Sequence, residues 1–276
     1  MSTPMTRYLE TYDEFSSLVD YSIALIEAQV GYFPTCDRQS YAEKIFLKLV
    51  CHGMTLRRLS PAPRVQVVHE LWDVSSNYAV ARTLIETFEA LSYIALEPVS
   101  ATEREFRILL WKLHAAERRS KMLDLIGSTH ADLASVLSER DLLKEAALAH
   151  PFLATADNGL SKKIERGDPP PYHLSRSERD KRCGIDSNYH NAVTMHLSQH
   201  VHTYPFSVFQ LFEFRAGDPE CLRLMSVAVE YAAGFLAKSL AGMIDLFSPR
   251  IPQLTPSLKQ ALETWQGLLA AGLTKF

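Results

Sequence analysis

Five polar residues on one predicted helix have the spacing of a binding or catalytic stripe. Tyr78, Arg82, Glu86, Glu89 and Tyr93 follow one another at intervals of three and four residues, which places them on one helical face. The other positions of this helix are apolar or small, so most of its surface is expected to be covered by protein. A buried guanidinium and carboxylate persist only as a pair, and a pair four residues apart leaves N–H donors free for a ligand. The alternative is a narrow solvent-facing strip with one surface ion pair.

Histidines are concentrated in a later predicted helix, where His190, His196, His200 and His202 occur close together. His196 and His200 are four residues apart, a spacing at which two imidazoles can bind one metal ion. The donors that the sequence offers for a third position are His69, Glu70, Asp73 and His114. We predict a divalent metal site at His196 and His200 as one interpretation, and partly buried, hydrogen-bonded histidines as the other. No other cofactor is expected.

Arginine and histidine spacings also allow a metal-independent ribonuclease of the helical HEPN type. In that chemistry an arginine stabilises phosphoryl charge and a histidine moves a proton. The pairs with a suitable spacing are Arg64 with His69, Arg107 with His114, and Arg166 with His173. Such short patterns also arise by chance in a chain with 10 histidines. The sequence has no G-x-S-x-G elbow, no P-loop and no G-x-G-x-x-G, which argues against nucleotide hydrolysis and dinucleotide redox chemistry.

Composition narrows the classes of protein further. The 276 residues carry 29 Lys+Arg and 32 Asp+Glu, with no basic tract, so duplex DNA is not an expected partner. The four cysteines are scattered, as is typical of reduced thiols in a cytosol. The first residues lack the apolar segment of a secretory signal, and the apolar stretch 226–247 is interrupted by Glu230, Lys238 and Asp245. We therefore expect a cytoplasmic protein that does not bind a membrane.

Apolar residues at intervals of three and four, with prolines between segments, predict an all-α fold. We expect a single domain over 1–276 with seven or eight helices. Thr102 with Glu105 has the spacing of a capping box, and Asp218-Pro219 joins an N-cap residue to a proline at the first helical position. The predicted helices are 11–32, 39–59, 64–96 (one helix or two, broken near 73–77), 102–126, 131–148, 187–203, 219–247 and a last one from 256. The Pro- and Gly-rich stretch 151–186 is predicted to be a surface insertion or lid.

Two segments resemble a large bacterial family of all-helical proteins classed only as a domain of unknown function. Residues 81–86, A-R-T-L-I-E, are similar to that family's A-R-x-x-x-E helix, and residues 197–205, L-S-Q-H-V-H-T-Y-P, are similar to its L-S-x-x-V-H-x-x-P. The resemblance implies that Arg82, Glu86, Ser198 and His202 are polar positions that face one another across the bundle. Some helical relatives of this kind belong to phage-defence and toxin systems, which would fit RNA cleavage.

The sequence thus predicts a partly buried pocket in which Arg82 and Glu86 meet Ser198 and His202. A small polar or anionic ligand would suit it, because arginine offers a bidentate fork and histidine changes protonation near neutral pH. In a catalytic pocket, His202 would be the general acid or base, Arg82 would stabilise an anion, and Glu86 would hold Arg82 or orient the imidazole. Binding or regulation is the leading interpretation. The alternatives are the ribonuclease, a metal-dependent hydrolase with the His-x3-His pair, and a helical interaction protein without a pocket; enzyme activity and homo-oligomerisation are left open.

Overall fold

The computed structural model describes residues 3–60, 72–156, 158–213, 215 and 218–273. Within these residues every regular element is helical, which confirms the predicted all-α class. The α-helices are α1 (Pro4–Ala28), α2 (Asp37–Leu59), α3 (Val74–Leu91), α4 (Ala101–Leu125), α5 (Leu133–Ala149), α6 (Asn158–Glu165), α7 (Arg176–Cys183), α8 (Ser187–Val201), α9 (Pro205–Glu213), α10 (Pro219–Leu246) and α11 (Pro256–Ala271). A π-helical turn, Ser92–Leu96, follows α3, and 3₁₀ turns cover Pro151–Thr155 and Ser248–Arg250.

The described part of the chain has more helices than the seven or eight predicted. The additional ones are α6 and α7, with 8 residues each, and α9, with 9 residues. Helices of two turns contain too few apolar positions to show a helical period. Short helices between prolines were therefore missed by a periodicity argument.

The chain forms two compact units. The first comprises Met1–Ser92 and Asp180–Phe276, and the second comprises Tyr93–Arg179. The single domain over 1–276 stays a prediction.

The core of the first unit is α10, which packs against α1, α2, α3 and α11. Small residues allow close packing on several sides; a Cβ atom at Gly234 would lie 3.4 Å from the Leu269 Cβ atom on α11. The helix begins at Pro219, as predicted from the Asp218-Pro219 pair. Among the described helices, α10 alone is long and apolar enough to cross a membrane, and 67% of its apolar window is buried inside the protein. That burial is what a central core helix requires.

The helix that carries the polar stripe, α3, begins at Val74. Asp73 is its N-cap, because the side chain accepts a hydrogen bond from the Ser76 backbone N–H at 2.8 Å. This start agrees with a break near 73–77; the first part of the predicted helix, 64–71, lies outside the described residues. The neighbours of α3 within the first unit are α2, α8 and α10, so α3 is covered on several sides.

The second unit is built on α4 and α5, with α6 packed on them. The core residues of this unit are Phe106, Leu110, Leu113, Ala147, Leu160 and Ile164. Leu160 and Ile164 belong to the predicted surface insertion, yet their side chains are buried. The predicted capping box was also displaced: the N-cap of α4 is Ser100, which accepts from the Glu103 N–H at 3.1 Å, because Ser100 with Glu103 has the same spacing as Thr102 with Glu105.

A buried ion cluster lies where the π-helical turn meets α4. Arg107 is 0% exposed, and it donates to Glu97 Oε2 at 2.6 Å, to Glu103 Oε1 at 2.6 Å and to the Tyr93 carbonyl at 2.8 Å. The guanidinium also lies 4.3 Å from the centre of the Tyr93 ring. Glu97 and Glu103 therefore compensate the charge of Arg107. The Tyr93 carbonyl, which lies near the end of a helix, gains a hydrogen-bond donor.

Replacing this arginine should strongly destabilise the second unit. In Arg107→Met, the buried carboxylate of Glu97 and the mostly buried one of Glu103 lose this cation, and we expect the free energy of unfolding to fall by about 3 to 5 kcal/mol. Urea denaturation followed by circular dichroism measures the change. The control is Arg118→Met, which removes an exposed pair with Asp168 and should stay within about 0.5 kcal/mol of wild type. Equal effects of the two substitutions would contradict a structural role for the buried cluster.

Candidate functional site

The polar stripe of α3 lies against α8. Tyr78, near the start of α3, contacts the ring of His200 with centroids 4.3 Å apart, and Glu89, near its end, lies 3.2 Å from His190 Nε2. The early part of one helix thus meets the late part of the other, so the two helices run antiparallel. We call this contact region, defined by Tyr78, Glu89, His190, His196 and His200, the α3–α8 seam. Arg82 lies between Tyr78 and Glu89 along the same face of α3.

Arg82 and Glu86 form the ion pair that their spacing predicts. Arg82 Nε donates to Glu86 Oε1 at 2.9 Å, and Arg82 Nη2 lies 2.8 Å from the same oxygen. The Arg82 side chain is 15% exposed and that of Glu86 is 51% exposed. Arg82 Nη1 is buried and has no hydrogen-bond partner among the described residues. One edge of the guanidinium is therefore neutralised, and the other presents unused donors.

Ser198 and His202 do not join this pair. Ser198 Oγ donates to the Thr194 carbonyl at 2.6 Å, within α8. His202 is the C-cap residue of α8, is exposed, and stacks near Tyr204 with ring centroids 5.4 Å apart. Within the part of the chain that the structure describes, no hydrogen bond or ion pair links Ser198 or His202 to Arg82 or Glu86. The four residues do not meet directly, because another face of α8 packs against α3.

The face of α8 that meets Tyr78 carries His196 and His200. The ring centroids of Tyr78 and His196 lie 5.1 Å apart, and those of the two histidines 6.1 Å apart. His200 Nδ1 lies 3.3 Å from Ser75 Oγ, which fixes the ring. Tyr78 Oη and His200 Nε2 are buried and have no hydrogen-bond partner among the described residues. Two unsatisfied polar atoms thus accompany a direct ring contact.

The ionisation of this group is set by burial. Burial raises the pKa of Tyr78 well above its ordinary value, so the phenol stays protonated. Burial, and then the charge of Arg223, lower the pKa of His196. Burial, and then His196, lower the pKa of His200 to about 4; Gln210 opposes this shift, although neither Gln210 Oε1 nor His200 Nε2 has a hydrogen bond among the described residues. Near neutral pH the three rings are uncharged.

A metal site at His196 and His200 stays a prediction. Among the described residues, no group of three His, Cys, Asp or Glu side chains could hold a metal ion. His69 and Glu70 lie outside the described residues, and Asp73 is occupied as the N-cap of α3.

The other end of the seam holds a buried imidazole between two carboxylates. His190 Nδ1 lies 2.6 Å from Asp180 Oδ1, and His190 Nε2 lies 3.2 Å from Glu89 Oε1; all three side chains are at most 8% exposed. Burial alone would lower the pKa of His190, but hydrogen bonds and attraction from Asp180 and Glu89 outweigh it and raise the pKa. This cluster ties α7 and α8 to α3.

Sequence reasoning placed Glu89 on the stripe but missed its partners. Asp180 belongs to the stretch assigned to a surface insertion, and His190 was noted only as one of four clustered histidines. The useful signal was that a mostly apolar helix carries a carboxylate at Glu89, because a buried carboxylate requires a cationic or hydrogen-bonding partner.

Three residues of the ribonuclease interpretation, Arg107, His114 and His173, have other partners in the structure. Arg107 belongs to the buried ion cluster, and His114 Nδ1 lies 2.8 Å from the Pro169 carbonyl. His173 Nδ1 lies 2.6 Å from Tyr93 Oη. Arg64 and His69 lie outside the described residues. The ribonuclease stays a prediction without support from these contacts.

The fold and the seam define an all-helical protein with a partly unsatisfied buried polar region. No known family model matches the chain, and neither a curated protein nor a solved structure matches it. The resemblance to the uncharacterised bacterial family therefore stays a prediction.

Removing the Tyr78 hydroxyl should cost no stability. Because Tyr78 Oη has no partner among the described residues, we expect the free energy of unfolding of Tyr78→Phe to be unchanged or raised by up to about 1 kcal/mol. The control is Tyr93→Phe, since Tyr93 Oη contacts His173 Nδ1 at 2.6 Å and accepts from the His173 N–H at 3.2 Å; its unfolding free energy should fall by about 1 to 3 kcal/mol. Urea denaturation compares the two. A loss in Tyr78→Phe as large as in Tyr93→Phe would show that Tyr78 Oη is hydrogen-bonded in the free protein.

The pKa values of the histidines at the two ends of the seam should be shifted in opposite directions, upwards for His190 and downwards for His200. Relative to the ordinary value of about 6.5, the His190 resonance should change at higher pH and the His200 resonance at about pH 4. His190 thus stabilises the fold below its unfolded pKa and loses this contribution as the pH rises through the folded pKa; His200 stabilises above its unfolded pKa and loses the contribution as the pH falls towards about 4. Imidazole NMR titration, with His190→Gln and His200→Gln for assignment, measures both. Two transitions that coincide near the ordinary value would contradict the proposed environments.

Proposed function

We propose that this protein binds a small polar ligand in the α3–α8 seam, at Arg82 and Tyr78. The proposal keeps the binding function expected from the sequence and moves its histidine partner from His202 to His200. The observation that carries it is a buried guanidinium nitrogen, Arg82 Nη1, without a hydrogen-bond partner among the described residues.

An unpaired buried donor is costly for a folded protein. Leaving such a group without a partner costs about 1 to 3 kcal/mol, and more when the group is charged. Buried polar atoms of native proteins are therefore nearly always bonded to protein, water or ligand. Arg82 Nη1, Tyr78 Oη and His200 Nε2 are three such atoms on facing helices, and an acceptor atom of a ligand would give Arg82 Nη1 the partner that it lacks.

Glu86 supports this role by fixing the guanidinium. Both of its contacts with Arg82 use one carboxylate oxygen and one edge of the fork. The side chain is thereby held before a ligand arrives, which lowers the entropy cost of binding. The opposite edge keeps its donors for the ligand.

Ligand-observed NMR with single probes tests the proposal. The probes are acetate, inorganic phosphate, benzoate, benzamide and nicotinamide, and the proteins are wild type, Arg82→Gln and Arg57→Gln. Arg57 is the matched control, because it pairs with Asp20 on α1 and is 25% exposed. At least one probe should bind wild type and Arg57→Gln alike and bind Arg82→Gln about 10- to 100-fold more weakly, as expected for a charged hydrogen bond of about 1.5 to 3 kcal/mol.

Two results would overturn the proposal. One is that none of the probes binds wild type. The other is that every probe that binds wild type binds Arg82→Gln equally well, since the buried guanidinium edge would then take no part.

A further inference from the structure

A cavity of about 310 Å³ lies where the end of α1, the first half of α2 and the end of α10 pack together. Its volume is that of a site for a small organic molecule. The cavity belongs to the first unit, and none of its described lining residues is part of the α3–α8 seam. Most of the lining is apolar, and it includes Leu25, Ile26, Val30, Phe46, Leu47 and Met243.

Apolar side chains at this cavity are exposed to water. Val30 is 80% exposed and Leu47 is 50% exposed. Phe33, one residue beyond the lining residue Tyr32, is 86% exposed. Exposed apolar side chains that adjoin a cavity are typical of a binding site. An apolar ligand body would remove this surface from water, which favours binding.

The same cavity is lined by two side chains with unsatisfied acceptors. Glu43 Oε1 and Gln29 Oε1 are both buried, and neither has a hydrogen-bond partner among the described residues. The orientation of the Gln29 amide is fixed, because Nε2 donates to the Arg250 carbonyl at 2.8 Å. The unpaired atom of Gln29 is therefore its oxygen. Both residues need a donor, so a ligand that complements this cavity carries N–H or O–H groups on an apolar body.

The charge of Glu43 is incompletely compensated. The neighbouring Lys44 also lines the cavity, but it is exposed, and its Nζ lies 5.8 Å from the centre of the Tyr41 ring. It leaves Glu43 Oε1 without a hydrogen bond. Burial raises the pKa of Glu43, and this effect exceeds the opposing attraction of Lys44. A ligand that brings its own cation would stabilise the ionised carboxylate.

We infer that this cavity binds an aliphatic primary amine, whose ammonium group donates to Glu43 and whose alkyl chain contacts the apolar lining. An ammonium carries three N–H donors, so it can serve the carboxylate and still offer a donor to Gln29 Oε1. The Glu43 side chain is only partly buried, so its carboxylate can turn towards the ligand by a change of rotamer. The site goes beyond the proposed function and does not depend on it, since it shares no residue with the seam.

Three probes with one alkyl chain and different head groups test the inference: hexylamine, hexanol and hexanoate. Titrations are followed at pH 7.5 through the methyl NMR signal of Met243, which lines the cavity and is assigned with Met243→Leu. Hexylamine should shift this signal and bind wild type at least about 10-fold more tightly than hexanol, because only the ammonium forms a charged hydrogen bond with Glu43. Hexanoate should bind more weakly than hexanol.

Two variants separate the head group from the alkyl chain. Glu43→Gln should weaken hexylamine by about 5- to 50-fold and leave hexanol within about twofold. Leu47→Ala removes apolar lining and should weaken both probes by about 2- to 5-fold, with their ratio unchanged. The matched control is Glu27→Gln, since Glu27 is an exposed carboxylate near the end of α1 that does not line the cavity. Its binding of both probes should equal that of wild type.

Four results would overturn the inference. One is that hexylamine leaves the Met243 signal of wild type unchanged, as would follow if a second copy of the chain covered the cavity. Another is that hexanol or hexanoate binds wild type as tightly as hexylamine. The third is that Glu43→Gln, with the circular dichroism spectrum of wild type, binds hexylamine equally well. The last is that Leu47→Ala weakens neither probe. If Glu43→Gln does not fold, the comparison of probes in wild type and in Leu47→Ala decides the outcome.

Discussion

Each polar side chain on the buried face of α3 must find a partner inside the protein. Where α3 packs against α2, α8 and α10, its side chains cannot hydrogen-bond to bulk water as those of a surface helix do. Glu89 lies at ion-pair distance from His190, Arg82 is paired along one edge with Glu86, and Tyr78 Oη has no partner among the described residues. Along a few turns of one helix, the polar side chains thus range from a buried ion cluster to a hydroxyl without a partner among the described residues.

This difference separates a stabilising end of the seam from the end at which we propose that a ligand binds. At the late end of α3, a charged cluster links α3, α7 and α8, and its loss would leave buried charge uncompensated. At the early end, neutral rings and unpaired donors contribute less to stability, which is typical of groups retained for a ligand. The antiparallel course of α8 places a histidine at each end, so the same two helices supply both environments.

The sequence was sufficient for the fold class and for one side of the seam. Helical periodicity predicted an all-α protein, and the spacing of Tyr78, Arg82, Glu86 and Glu89 predicted a shared face on α3. The opposite side could not be predicted, because four histidines in one helix occupy several faces and periodicity does not give the register against another helix. Ser198 and His202 were chosen from a motif, and the register brings His196 and His200 to Tyr78 instead.

Asp180 shows a second limit of the same kind. Its segment has glycines and prolines and short helices, so local sequence describes it as surface. Its burial follows from a long-range contact, the 2.6 Å approach to His190. A buried carboxylate at Glu89 requires a cationic or hydrogen-bonding partner, so the sequence indicates that such a partner exists. It does not identify where in the chain the partner lies.

Comparison of two arginines indicates why the seam, and not the ion cluster of the second unit, is the candidate site. Arg82 and Arg107 each have a glutamate four residues away, and each uses Nε and Nη2 to hold it. They differ at Nη1: in Arg107 it donates to Glu97 and to the Tyr93 carbonyl, and in Arg82 it is buried without a partner among the described residues. A guanidinium with both edges occupied is a structural element, because a ligand would have to displace a buried carboxylate. A guanidinium held by one edge is fixed in place and still has donors to offer.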